Sequence, residues 1–327
     1  MPIAPIPGDS IAAKYAGFEI IDVAYKRVTG TDVPASILLP KGLKAGRTPV
    51  TVHWHGGGLV VGQRLFPDWY ADWVLDLTLE HNAIAVSPDY RLLPEATGVD
   101  ILEDAKDLYA WLLKPGNLAQ YLPHGVEPDL KHILVTGESA GGWLALQSGF
   151  QIPQSVAAVI AHYPMIDMKS AHFTEDYHKE LFDPPAPQLD RRLLDDHIRE
   201  LSGKEVITSR LPPEGVPLLL IAFQSGRFGS MFGQQSELYP LEQLDTVSSF
   251  PPLWILHGDK DNVVPVEGTR KFAKAFQSKL PEVPFHLSIG EGGMHGFDNH
   301  DASSGLPATL TDWVKPGVEL VQRYWPS

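Results

Sequence analysis

Residues 132–141 read His132-Ile133-Leu134-Val135-Thr136-Gly137-Glu138-Ser139-Ala140-Gly141, and the fold turns on how they are understood. The apolar run His132–Thr136 reads as a strand, it runs straight into a G-x-S-x-G pattern, and a helix of small residues opens at Ala140. A serine on a sharp strand-to-helix turn has strained dihedrals and crowded neighbours, so the residues two before and two after it must lack bulk. The turn lifts the hydroxyl clear of the sheet, and the helix N-terminus behind it favours developing negative charge. Ser139 is therefore the candidate nucleophile.

Outward from this turn the pattern alternates. Upstream, Phe18–Val28 and Val33–Leu39 read as strands of a hairpin joined by Thr29-Gly30, and Val50–Trp54 as a buried strand. Asp68–Glu80 and Ile101–Leu113 carry apolar residues at helical spacing, with Ala83–Ser87 a short strand between them. Downstream, Val156–Ala161, Leu253–Leu256 and Phe285–Ile289 read as strands, and Val266–Phe276 and Pro307–Tyr324 as helices. Strands alternating with helices imply βαβ units and a mostly parallel central sheet flanked by helices. The alternation breaks between Met165 and Pro251, a stretch rich in charge and proline with a short helical pattern at Arg191–Leu201. So long an interruption inside a repeating fold is expected to be an inserted cap. The expected organisation is a core of residues 18–164 and 251–327 and a cap of residues 165–250, with residues 1–17 as an optional addition to the cap. Phe173, Tyr177, Phe182, Phe228 and Phe232 suit an apolar pocket wall, and ordinary cap packing explains them equally well.

A second signal is His55-Gly56-Gly57-Gly58 at the end of an earlier strand. Consecutive glycines let backbone N–H groups approach a substrate oxygen without side-chain obstruction. Gly57 and Gly58 are the expected oxyanion donors, joined by the N–H of Ala140. The run does not fit G-x-G-x-x-G, and no Lys-Ser/Thr pair follows for a phosphate loop. His55 reads as a loop brace. If the chain order is Ser, acid, His, the acid lies in His257-Gly258-Asp259-Lys260-Asp261, where Asp261 is preferred and Asp259 taken as a loop stabiliser. The base is then His295 in Gly292-Gly293-Met294-His295-Gly296-Phe297, where flanking glycines suit a tight loop around a mobile imidazole. His53, His81, His162 and His257 lack that combination of order and loop.

Composition bounds the rest. The 327 residues, 43% of them apolar, suffice for one large α/β domain with an insertion or for two small domains. A net charge of −14 with scattered basic residues argues against nucleic-acid binding. The absence of cysteine excludes disulfides, thiolate metal sites and a cysteine nucleophile. The N-terminus has neither the basic start nor the apolar run of a secretion signal, and no apolar run is long enough to span a bilayer. A cytoplasmic protein is expected.

Taken together, HGGG at 55–58, Ser87-Pro88-Asp89-Tyr90-Arg91-Leu92-Leu93-Pro94-Glu95, GESAGG at 137–142, HGDKD at 257–261 and MHGF at 294–297 resemble the hormone-sensitive-lipase-like esterases of the α/β-hydrolase fold. The resemblance spans Val50 to Phe297. It implies carboxylic ester hydrolysis through an acyl-enzyme, and that Asp89-Tyr90-Arg91 and Glu95 brace the loops around the site. Two departures from the family pattern stand out: Glu138 where aspartate is commoner, and Asp261-Asn262-Val263-Val264-Pro265 in the acid loop. The expected partner is a small-molecule ester. No metal or organic cofactor is called for, and a homodimer is left open. An acyltransferase or lyase on the same scaffold is the alternative, with a non-catalytic small-molecule receptor behind it.

Overall fold

Strand segments apolar on both faces, such as Val50-Thr51-Val52 and Ile133-Leu134-Val135, are stable only when covered from both sides. In the computed structural model, which describes residues 8–299 and 308–326, they form the middle of one sheet. Helix α1 (Gly8–Lys14) leads into an antiparallel hairpin of β1 (Phe18–Val28) and β2 (Thr31–Pro40). Then follow β3 (Gly46–Trp54), α2 (Asp72–Glu80), β4 (Ile84–Pro88), α3 (Gly98–Leu112), β5 (Val126–Glu138), α4 (Ala140–Gln151) and β6 (Val156–His162). Five helices come next: α5 (Ala171–Thr174), α6 (Arg192–Glu200), α7 (Val216–Gln224), α8 (Phe228–Phe232) and α9 (Pro240–Gln243). The chain then resumes alternation with β7 (Leu253–Gly258), α10 (Val266–Lys279), β8 (Phe285–Gly290) and α11 (Ala308–Val321).

Among the described residues the sheet has eight strands in the order β1-β2-β4-β3-β5-β6-β7-β8. The β1–β2 and β2–β4 pairs are antiparallel and all others parallel, so β3 to β8 end at one edge. Successive side chains alternate between the two faces. Val50, Val52, Ile133, Val135, Val159 and Ile255 enter the core on one face, while Leu134, Ala158, Ile160, Trp254 and Leu256 enter the other with α2. Helix α3 starts on a reciprocal cap, in which the Asp100 N–H donates to the Thr97 side chain and the Thr97 N–H to the Asp100 carboxylate.

Two elements differ from the sequence expectation. The helix read from Asp68 begins at Asp72, because Trp69 turns inward against Phe66 and the glycine loop instead of continuing the helical stripe. Helix α7, Val216–Gln224, was not expected: VPLLLIAFQ is apolar on every side and carries no amphipathic period. Pro307, the expected start of the last helix, lies outside the described residues. No helix among the described residues is long and apolar enough to cross a membrane.

Candidate active site

The parallel strands deliver their following loops to one edge of the sheet, the usual place for a site in such folds. Ser139 leaves β5 with φ 57° and ψ −114°. The two flanking glycines explain how this strained turn is tolerated. A Cβ on Gly137 would lie 2.3 Å from the Gly141 carbonyl oxygen, and one on Gly141 would lie 1.9 Å from that of Trp54. The Ser139 N–H donates to the His162 carbonyl at 2.8 Å, fastening the turn to the neighbouring strand.

The structure brings Ser139, His295 and Asp261 together. His295 Nε2 lies 3.1 Å from Ser139 Oγ, and His295 Nδ1 lies 2.7 Å from Asp261 Oδ2. A carboxylate can only accept, so Nδ1 carries the proton and Nε2 is left to accept from the serine hydroxyl. Burial by itself pushes the Asp261 carboxyl up, but the facing His295 and His257 rings hold it well below the ordinary carboxylate range. Its other oxygen accepts from the N–H groups of Val263 and Val264 at 2.9 and 2.8 Å. Asp259 serves elsewhere, accepting from the Gly292 N–H at 2.7 Å and so joining the acid loop to the loop that carries His295.

The glycine loop arrives from β3 beside the nucleophile. Gly57 and Gly58 have φ of 99° and 61°, and both line the same cavity as Ser139. Val60 and Val61 donate to the Gly57 carbonyl, closing a tight turn whose amide edge faces the serine. Ala140 is the first residue of α4, so its N–H has no acceptor within the helix. Glu138, the departure from the family pattern, holds this loop: the Gly56 N–H donates to Oε1 at 2.6 Å, and His53 Nε2 lies 3.2 Å from Oε2. Burial pushes the Glu138 carboxyl well above its usual range and the His53 imidazole well below its own. A proton shared between two neutral groups follows, with no buried charge.

The bracing residues are also in place. Asp89 accepts from the Arg64 N–H and guanidinium at 2.6 and 2.7 Å, Arg91 grips Asp104 at 3.0 Å, and Glu95 pairs with Arg210 at 2.5 Å. Arg210 also exchanges backbone hydrogen bonds with Gly62 at 2.7 and 3.0 Å, tying the segment before β7 to the loop after the glycines.

Above Ser139 lies a cavity of about 640 Å³. Leu219 and Phe223 of α7 reach it and press on Gly58, where a Cβ would meet Leu219 at 2.2 Å. Of the aromatic residues singled out in the sequence, Phe182 lines the cavity. Phe173, Phe228 and Phe232 are instead buried in a ring cluster with Phe223, and Tyr177 is exposed. Lys14 of α1, ion-paired to Asp72, borders the opposite side with Trp69. Sequence reasoning missed Leu219 and Lys14, since neither sits in a motif. It also passed over His257 and His162, which prove to pair with carboxylates, His257 Nε2 at 3.3 Å from Asp261 and His162 Nδ1 at 2.6 Å from Asp298.

Comparison with known proteins agrees with this architecture. Residues 51–209 match the model of the alpha/beta hydrolase fold family, and residues 227–318 that of the prolyl oligopeptidase family. "Probable carboxylesterase M8" of a Phoma species is 33% identical over 98% of this chain and 99% of that protein. "Probable carboxylesterase clz11" of Cochliobolus lunatus is 35% identical over 56% of this chain and 86% of that one. Esterase 2 of Thermogutta terrifontis, solved phosphoramylated by tabun, superposes with a TM-score of 0.61 over 95% of this chain and 97% of its own, at 22% identity, a likeness of fold. With a carboxylesterase relative alike over nearly its whole length and a serine, a histidine and an aspartate meeting at the mouth of one cavity, the chain is a carboxylic ester hydrolase of the hormone-sensitive-lipase-like family of the α/β-hydrolase fold.

Proposed function

We propose that Ser139 attacks the ester carbonyl, His295 takes and returns the proton, Asp261 fixes the imidazole tautomer, and the N–H groups of Gly57, Gly58 and Ala140 bind the oxyanion. The observation that carries this reading is the unbroken relay from Asp261 through His295 to Ser139, at 2.7 and 3.1 Å. Attack transfers the hydroxyl proton to Nε2, leaving an imidazolium beside an aspartate already held ionised. The tetrahedral oxygen then faces the glycine edge, where one preorganised donor stabilises it by roughly 3–4 kcal/mol. His295 next protonates the departing alcohol, and water clears the acyl group from Ser139 by the same route.

Residues 165–250, with α1 on the far side, act in this reading as a cap over the core. Support comes from Leu219 and Phe223, which stand over the glycine loop, and from Lys14, which closes the other rim. The cap supplies apolar wall and no member of the triad, so it governs which esters enter.

The test is Ser139→Ala together with a fluorophosphonate probe. The variant should fold, retain less than about a thousandth of wild-type ester turnover, and lose labelling that the wild type shows at residue 139. Turnover within tenfold of wild type would remove Ser139 from the chemistry.

A further inference from the structure

We infer that Asp298, acting through His162, is the positioning residue that sets the reach between His295 and Ser139, an inference that rests on the triad proposed above. Asp298 follows the candidate base by three positions, and its carboxylate is wholly buried. Its Oδ2 sits 2.6 Å from His162 Nδ1 and accepts from the Trp73 indole N–H at 3.2 Å. Burial tends to raise this carboxyl, yet the facing His162 ring and the surrounding hydrogen bonds hold it below the ordinary range. A carboxylate kept ionised in the interior is fixed in place, because any displacement from its partners leaves an uncompensated charge.

His162 is the last residue of β6 and holds the site from two directions. Its carbonyl accepts the Ser139 N–H at 2.8 Å, so it fixes the nucleophile turn. Its ring is held at Nε2 by Thr136 at 3.0 Å, and Trp73 stacks over it at 5.1 Å, so the Nδ1 direction is determined. Through Asp298 that same residue fixes the loop of the base. The loop is short and stiff: Phe297 N–H donates to the Met294 carbonyl at 3.2 Å and Asn299 N–H to Gly296 at 3.0 Å, on either side of His295 and Asp298. Tyr163, next in sequence to His162, packs edge-on against the His295 ring at 4.8 Å and blocks its retreat. One buried pair therefore joins the serine turn to the histidine loop, two segments that lie 156 positions apart in the chain. Nothing in the proton relay itself requires Asp298 or His162, and neither touches the reacting atoms.

The experiment measures kcat and KM per active site for Asp298→Ala, Asp298→Asn and Trp73→Phe, with sites counted by fluorophosphonate titration well below each variant's melting temperature. Wild-type labelling at Ser139 tests the triad reading on its own, so failure there is distinct from failure of this inference. The expected result is a kcat loss of 30-fold or more at unchanged KM for Asp298→Ala, recovery to within fivefold of wild type for Asp298→Asn, which keeps an acceptor for His162, and a three- to tenfold kcat loss for Trp73→Phe. If Asp298→Ala yields no folded protein, Trp73→Phe decides. A kcat per titrated site unchanged in the folded variants, or a KM rise that accounts for the whole loss, would overturn the positioning role.

Discussion

Glu138 stands where the family pattern has aspartate more often, and its substitution separates two accounts of what the carboxyl does. Buried beneath the glycine loop, it accepts the Gly56 N–H at 2.6 Å and faces a His53 ring kept neutral by burial. Its own carboxyl is pushed well above the usual range, chiefly by desolvation, so it enters neutral solution as an acid. Glu138→Gln then replaces like with like: an amide oxygen accepts from Gly56, and the amide NH₂ donates to His53 as the acid proton did. The expected loss is less than threefold in kcat/KM, by analogy with an isosteric swap that leaves every buried group satisfied. Glu138→Ala leaves the Gly56 N–H without an acceptor in the interior, at about 1–3 kcal/mol. Felt in the oxyanion loop, that is roughly a 5- to 150-fold fall in kcat at little change in KM. The pH dependence of stability supplies an independent check. A folded pKa raised above the unfolded value of about 4.3 contributes stability present below that value and lost as pH rises toward the folded pKa. Wild-type melting temperature should therefore fall relative to that of Glu138→Gln between about pH 5 and 8. Turnover of 4-nitrophenyl butyrate and thermal melts across that range are the assays. If Glu138→Gln were as damaging as Glu138→Ala, or if its melting advantage shrank with rising pH, a charged Glu138 would be acting and the argument would fail.

Asp261→Asn should lower kcat roughly 10⁴-fold by turning the tautomer of His295, with KM little altered; a loss under tenfold in steady-state assays would remove Asp261 from the triad. Because the folded pKa of Asp261 is depressed, its stability contribution is present above the unfolded carboxylate value and lost as pH falls through the folded one. Acid unfolding of the asparagine variant should lack that component, as melts from neutral pH downward would show. Leu219→Ala and Phe223→Ala should raise the octanoyl-to-acetyl ratio of kcat/KM about tenfold or more, since wall contacts count about 1–3 kcal/mol per methylene; equal losses on both esters would make α7 structural. Phe228→Ala, by contrast, should cost about 3–5 kcal/mol of stability and leave the ratio unchanged in chain-length assays, because Phe228 is wholly buried away from the cavity.

The sequence by itself determined the strand–turn–helix at Ser139, the alternation that makes the sheet parallel, and the order of serine, aspartate and histidine along the chain. Each is legible because it is a local constraint: Gly137 and Gly141 are required within two residues of Ser139, and the glycines after Trp54 by close backbone approach. Strand ends were less legible, since β5 begins at Val126, well ahead of its apolar part, where charged and proline residues still pair with β3. Tertiary structure alone decided which side chains meet. Nothing near His162 announces that its carbonyl would hold Ser139 and its ring Asp298, because those partners come from other strands and loops. Helix α7 makes the same point in the segment between β6 and β7. VPLLLIAFQ is apolar on all sides, so only its packing selects Leu219 and Phe223 for the cavity while Phe228 and Phe232 fill the interior behind them. Local periodicity records which residues avoid water; which of them face a substrate is set by the neighbours the fold brings against them.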